Sequence, residues 1–130
     1  MQYMRIALLS GLAALTAGTL MVPAMAQSSG GNPALGRTVF ARCAACHAVT
    51  PGGKRLGPSL AGIVGRKAGS EPGYAYSPAM LGAKIVWDAR NLDAYLTRPT
   101  ATVPGTKMTF VGIANPADRA NVIAYLSTVH

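Results

Sequence analysis

Apolar positions along the chain fall into stretches of different period. Ile6 to Val22 is an unbroken run without a charged residue, preceded by Arg5 and followed by Ala24-Met25-Ala26. A positive start, an apolar run and a small-x-small site describe a secretory leader with cleavage expected after Ala26. The alternative is an uncleaved anchor, since an apolar run of this length nearly spans a bilayer. The expected organisation is thus a leader at 1–26 and one domain at 27–130.

Beyond the leader the period changes. Asn32 caps a helix that opens on Pro33, and Leu35, Val39, Phe40 and Cys43 recur at helical spacing as its inward stripe. Val49 to Gly73 is rich in glycine and proline, with one short helical turn expected over Pro58–Val64 and another over Ser77–Leu81. Asp88 caps a clearer helix through Thr97, with Leu92, Tyr95 and Leu96 on one face and Pro99 marking its end. Asn115-Pro116 repeats the cap-then-proline signature, and Asp118 complements the dipole of a last helix running to about Thr128. That helix turns Val122, Tyr125, Leu126 and Val129 inward. No strand alternation longer than a few residues is present. The fold class is all-α: about three main helices, short helical turns and long loops that need something to hold them.

A domain of 104 residues buries only about two-thirds of the surface its unfolded chain exposes, so a large apolar cofactor at its centre would help it fold. With Arg5 removed, eleven Lys and Arg face four acids, Glu71, Asp88, Asp93 and Asp118, for a net charge of +7. The basic residues are scattered and no zinc-finger or helix-turn-helix pattern accompanies them, which argues against nucleic acid. An acidic protein, or peripheral contact with an anionic membrane, suits the charge.

The chemistry concentrates at Cys43-Ala44-Ala45-Cys46-His47, which holds both cysteines of the chain and the first of two histidines. Two thiols separated by two residues match the spacing of two haem vinyl groups, and the adjacent histidine falls beneath the iron. Cys-x-x-Cys-His is the c-type haem attachment signature. A thioredoxin-like centre would need a βαβ neighbourhood, and a structural zinc site needs two further ligands that the sequence lacks. Candidates for the sixth iron ligand are Met80, Met108 and the terminal His130. Met80 reads as core on a helical turn. Met108 sits in Val103-Pro104-Gly105-Thr106-Lys107-Met108, a constrained loop between helices that suits presentation of a thioether.

Several further blocks, in this order, extend the pattern: Leu56-Gly57-Pro58-Ser59-Leu60, Gly65-Arg66-Lys67, Pro72-Gly73-Tyr74-Ala75-Tyr76, Trp87, Tyr95-Leu96, Pro104-Gly105-Thr106-Lys107-Met108 and Ile123-Ala124-Tyr125-Leu126. With the haem motif they make nearly all of the chain after the leader resemble the class I cytochromes c, of the mitochondrial and bacterial c2 type. The resemblance implies the small cytochrome c fold and one haem c on Cys43 and Cys46, with His47 and Met108 as axial ligands. It further implies that the Pro58 carbonyl accepts from His47, and that Tyr76 and Trp87 bond a buried propionate with Arg66 balancing its charge. Tyr95 and Thr106 would flank the methionine, and Gly36 and Phe40 would pack on Val122 and Tyr125. The chain departs from the family at Met80, where an asparagine is common, and in a His47–Pro58 loop one residue short of the mitochondrial form. Thr100, Ala101, Ala114 and Asn115 stand where lysines often surround the docking face.

The function so implied is that of a soluble, monomeric, periplasmic one-electron carrier, not an enzyme, transferring electrons through the haem edge in a respiratory or photosynthetic chain. Its partners would be redox proteins with acidic docking surfaces, such as a bc1-type complex, a terminal oxidase or a dehydrogenase. A ring of Arg37, Arg42, Lys54, Arg55, Arg98 and Lys107 would meet them. The rivals are a haem peroxidase or gas sensor in which Met108 dissociates, and a haem subunit of a larger dehydrogenase or oxidase.

Overall fold

The computed structural model describes residues 30–130, so the leader expected at 1–26 lies outside the described residues. Five helices follow in order: α1 (Pro33–Phe40), α2 (Pro78–Gly82), α3 (Ala89–Thr97), α4 (Pro99–Thr102) and α5 (Pro116–Leu126). The three longer ones, α1, α3 and α5, are the expected main helices. Among the described residues the β structure is one isolated bridge, Lys67 to Val86, and no helix is long and apolar enough to cross a membrane.

Four of these helices start where side chains satisfy their first amides. Asn32 Oδ1 accepts from Ala34 and Leu35 at α1, Ser77 Oγ from Met80 at α2, Asp88 Oδ1 from Asn91 at α3 and Asn115 Oδ1 from Ala117 at α5. Pro99 does more than end α3. It holds Arg98 extended at φ −156° and then serves as the first residue of α4, a helix that periodicity did not indicate.

α1 crosses α5 at close range. A Cβ on Gly36 would collide with the Asn121 backbone and lie 2.8 Å from Tyr125 Cβ. The Phe40 and Tyr125 rings meet one step further along, centroids 5.4 Å apart at 51°. This crossing sets which face of α1 is inward, and it corrects one expectation: Gly36 is buried while Leu35 is 56% exposed. The face that meets α5 is the one centred on Gly36, and Leu35 lies off it.

The Pro58–Val64 segment forms hydrogen-bonded turns in place of the expected helical turn. Its amides are drawn into long-range bonds, Leu60 N to Ala48 O at 2.8 Å and Gly62 N to Val129 O at 2.8 Å, and cannot close a helix. A second stitched pair fixes the tryptophan. Gly65 N donates to Trp87 O at 2.9 Å, Trp87 N to Arg66 O at 2.8 Å and Ala68 N to Ile85 O at 2.8 Å. Arg119, from α5, pairs with Asp93 on α3 at 2.7 Å and donates to the Ile113 and Ala114 carbonyls, closing the fold on its far side.

Candidate functional site

Just beyond α1 the backbone keeps winding. Cys46 N and His47 N both donate to Cys43 O, at 3.0 and 2.9 Å, so the two thiols and the imidazole ride on one turn. Cys43, Cys46 and His47 all line a cavity of about 390 Å³. Pro58, Arg66, Tyr76, Trp87, Tyr95, Thr106 and Met108 line it as well, so all ten residues singled out from the sequence meet at one place. Met80 also lines it, from α2, where it is buried at 8% exposure. His130 is exposed at the terminus.

The imidazole is held from two sides. His47 Nδ1 lies 2.8 Å from the Pro58 carbonyl, the geometry of a ring N–H donating to that oxygen. With the proton on Nδ1, Nε2 keeps its lone pair for a metal. Burial pushes the His47 pKa below its ordinary value against the opposing pull of the Pro58 bond, which also favours the neutral ligand form. The other face of the ring rests on Gly57, where a Cβ would come 2.5 Å from His47 Cε1 and 2.8 Å from Nδ1. Gly57 N in turn donates to Cys46 O at 2.7 Å, so the glycine is tied to the motif it supports. Burial raises the Cys43 pKa above the ordinary thiol value, and the nearby Arg42 charge partly offsets that rise.

Across the cavity, Met108 sits half-buried on the loop after α4. Thr106 Oγ1 accepts from Met108 N at 3.3 Å and lies 2.9 Å from the Tyr95 hydroxyl, so a side chain of α3 sets the loop that carries the thioether. Burial raises the Tyr95 pKa although the Thr106 bond opposes it. Lys107 straps the same loop to the 70s segment, with Nζ 2.5 Å from Ala75 O and 5.4 Å from the Tyr74 ring centroid. Trp87 packs against Tyr95, centroids 4.9 Å apart.

At the remaining wall the Tyr76 hydroxyl accepts from Glu71 N at 3.3 Å. Arg66 donates to Ser59 O, Ala61 O and the Glu71 carboxylate. Gly57 and Glu71 also touch these side chains, the one against the His47 ring and the other against Arg66 and Tyr76, and neither was singled out from the sequence. Gly57 stood inside a matched block, beside Pro58, but its neighbour the ring is ten positions away. Nothing around Glu71 marked it.

The residues fit a covalently attached haem: two thiols on one turn, an imidazole with its Nε2 free, a strapped thioether, and walls of Phe40, Leu60, Ile63, Leu92, Leu96, Val122 and Leu126. Of the expected basic ring, Arg42 and Lys107 are exposed and also line the cavity, while Arg37, Lys54, Arg55 and Arg98 are exposed elsewhere.

Comparison with known proteins agrees with this geometry. The family model described as cytochrome c matches residues 33–130. A cytochrome c2 of Rhodomicrobium vannielii is 48% identical over 114 residues, covering 87% of this chain and 91% of the relative. A cytochrome c2 of Rhodoblastus acidophilus is 51% identical over 98 residues, covering 75% and 92%. Among solved structures, cytochrome cH from Methylobacterium extorquens superposes with a TM-score of 0.72 at 43% identity, covering 75% of this chain and 99% of that one.

Proposed function

The chain belongs to the cytochrome c family, and from that premise we propose that it is a one-electron carrier whose single haem is joined to Cys43 and Cys46 and ligated by His47 and Met108. The observation that carries the reading is the meeting of these four side chains at one cavity with mainly apolar walls. When bound, the haem supplies a one-electron iron couple, and a His/Met pair raises its potential.

The chain's own part is to hold and to exclude. Pro58 and Gly57 orient the imidazole, while Tyr95, Thr106 and Lys107 hold the methionine loop. A rigid ligand set changes little between oxidation states, which suits transfer without chemistry. His47 and Met108 would both hold the haem iron, which would then supply electron transfer and offer no place to oxygen or peroxide, and this favours a carrier over a catalyst. The protein works, on this reading, as a soluble periplasmic monomer beginning at Gln27 after loss of the leader, and its docking partners are acidic redox proteins. Intact mass of exported material tests the leader: a species retaining residues 1–26 in the membrane fraction contradicts it.

The ligand assignment is tested by Met108→Ala and Met80→Leu. Met108→Ala should abolish the sulfur-to-iron charge-transfer band of the ferric protein and admit azide. Met80→Leu should leave the band intact. The reverse result overturns the assignment, and azide or carbon monoxide binding to the native protein at neutral pH would favour the peroxidase or sensor reading.

A further inference from the structure

The cation in the cavity wall is already paired. Arg66 Nη1 donates to Glu71 Oε2 at 2.6 Å and to Ala61 O at 3.0 Å, and Nη2 donates to Ser59 O at 2.7 Å. Both side chains of the pair are largely out of solvent, at 17% and 14% exposure. Glu71 is tied to the wall a second time, through its backbone N–H and the Tyr76 hydroxyl. The other three acids are placed differently. Asp88 caps α3, Asp93 pairs with Arg119 away from the cavity, and Asp118 lies 4.0 Å from Arg42, whose side chain is 59% exposed and open to screening.

From this geometry we infer that Glu71 sets the reduction potential by cancelling the charge of Arg66. The inference rests on the haem reading above. Reduction adds one electron and lowers the charge of the site by one, so a fixed positive charge nearby favours the reduced state and a fixed negative charge favours the oxidised state. Arg66 alone would draw the equilibrium toward reduction. Glu71, fixed against it at 2.6 Å in a wall that water hardly reaches, removes much of that pull. Glu71 is therefore a positioning and tuning residue: it holds the Arg66 guanidinium on the Ser59 and Ala61 carbonyls and offsets its charge.

The experiment is a redox titration of the haem-loaded protein followed by absorbance. Glu71→Gln keeps an oxygen for Arg66 and removes the charge. It should raise the ratio of reduced to oxidised protein at fixed ambient potential about three- to tenfold, an upward shift of about 30–60 mV for a one-electron couple. Arg66→Gln, leaving the carboxylate uncompensated, should move the ratio the other way. Glu71→Asp, which keeps the charge, should stay within about twofold of the native protein, and so should Asp93→Asn, which makes the same change in net charge outside the cavity. A haem-loaded Glu71→Gln protein with an unmoved or lowered ratio overturns the inference. Equal shifts from Glu71→Gln and Asp93→Asn would show a diffuse charge effect, and equal shifts from Glu71→Gln and Glu71→Asp a merely structural one; either also overturns it. Should Glu71→Gln fail to load haem, the double variant Glu71→Gln with Arg66→Gln decides: a ratio near the native one supports the cancellation, and a ratio as low as that of Arg66→Gln alone overturns it. Native protein without a covalent haem spectrum would instead defeat the reading of the site.

Discussion

Gly57→Ala is the substitution whose cost can be worked most directly from the structure. The new methyl would sit 2.5 Å from His47 Cε1, 2.8 Å from Nδ1 and 3.0 Å from Nε2. Ordinary contact begins near 3.5 Å, so either the ring or the backbone must yield by about 1 Å. The backbone is held by the 2.7 Å bond from Gly57 N to Cys46 O, and the ring by the 2.8 Å contact with Pro58 O. Whichever yields, one of those bonds is lost. Overpacking costs about 1–3 kcal/mol and the bond about 1 kcal/mol more, for a total of about 2–4 kcal/mol. In a domain of this size that lowers Tm by about 10–25 °C. Denaturant unfolding of the haem-loaded protein, followed by Trp87 fluorescence, measures it. Gly82→Ala is the control: nothing lies within 4 Å of its Cβ, so the change should be neutral or slightly stabilising. A Gly57→Ala protein within about 0.5 kcal/mol of native stability would refute the claim that the ring rests on this residue.

Other outcomes are expected at Tyr95 and at the basic residues beside the cavity. Tyr95→Phe removes the hydroxyl partner of Thr106 and should cost about 1 kcal/mol at neutral pH while speeding azide entry at the methionine side. Because burial raises the Tyr95 pKa, the unfolded chain loses this proton first in alkali, so the native protein's advantage over Tyr95→Phe should shrink as pH rises past about 10; an advantage unchanged between pH 8 and 10.5 contradicts the burial argument. Oxidation by an acidic partner should slow with salt, and stopped-flow rates should fall more for Arg42→Glu and Lys107→Glu, at the cavity, than for Lys84→Glu; equal effects from all three would remove the proposed docking face.

Features that depend on near neighbours in the chain are legible in its residues alone. Helix starts were legible because Asn32, Ser77, Asp88 and Asn115 meet their amides within three positions, and proline follows three of these caps directly. The haem motif was legible because one turn of backbone joins Cys43, Cys46 and His47. The constrained loop made Met108 a candidate ligand from the residues themselves, whereas the roles of Pro58, Tyr95 and Thr106 entered through resemblance, since nothing local in the chain says that they share a cavity. Tertiary structure decided the rest. Leu35 has the right period for burial, yet the close crossing at Gly36 turns it outward. The Pro58–Val64 segment could have wound into a helical turn, but its amides reach Ala48 and Val129 instead. Glu71 is five residues from Arg66, a spacing of no significance in a loop, until folding brings its carboxylate to 2.6 Å from the guanidinium and shields the pair from water. Periodicity records which face of an element is apolar. It carries no information about which backbone will approach that face, or which charge will be shut in beside another.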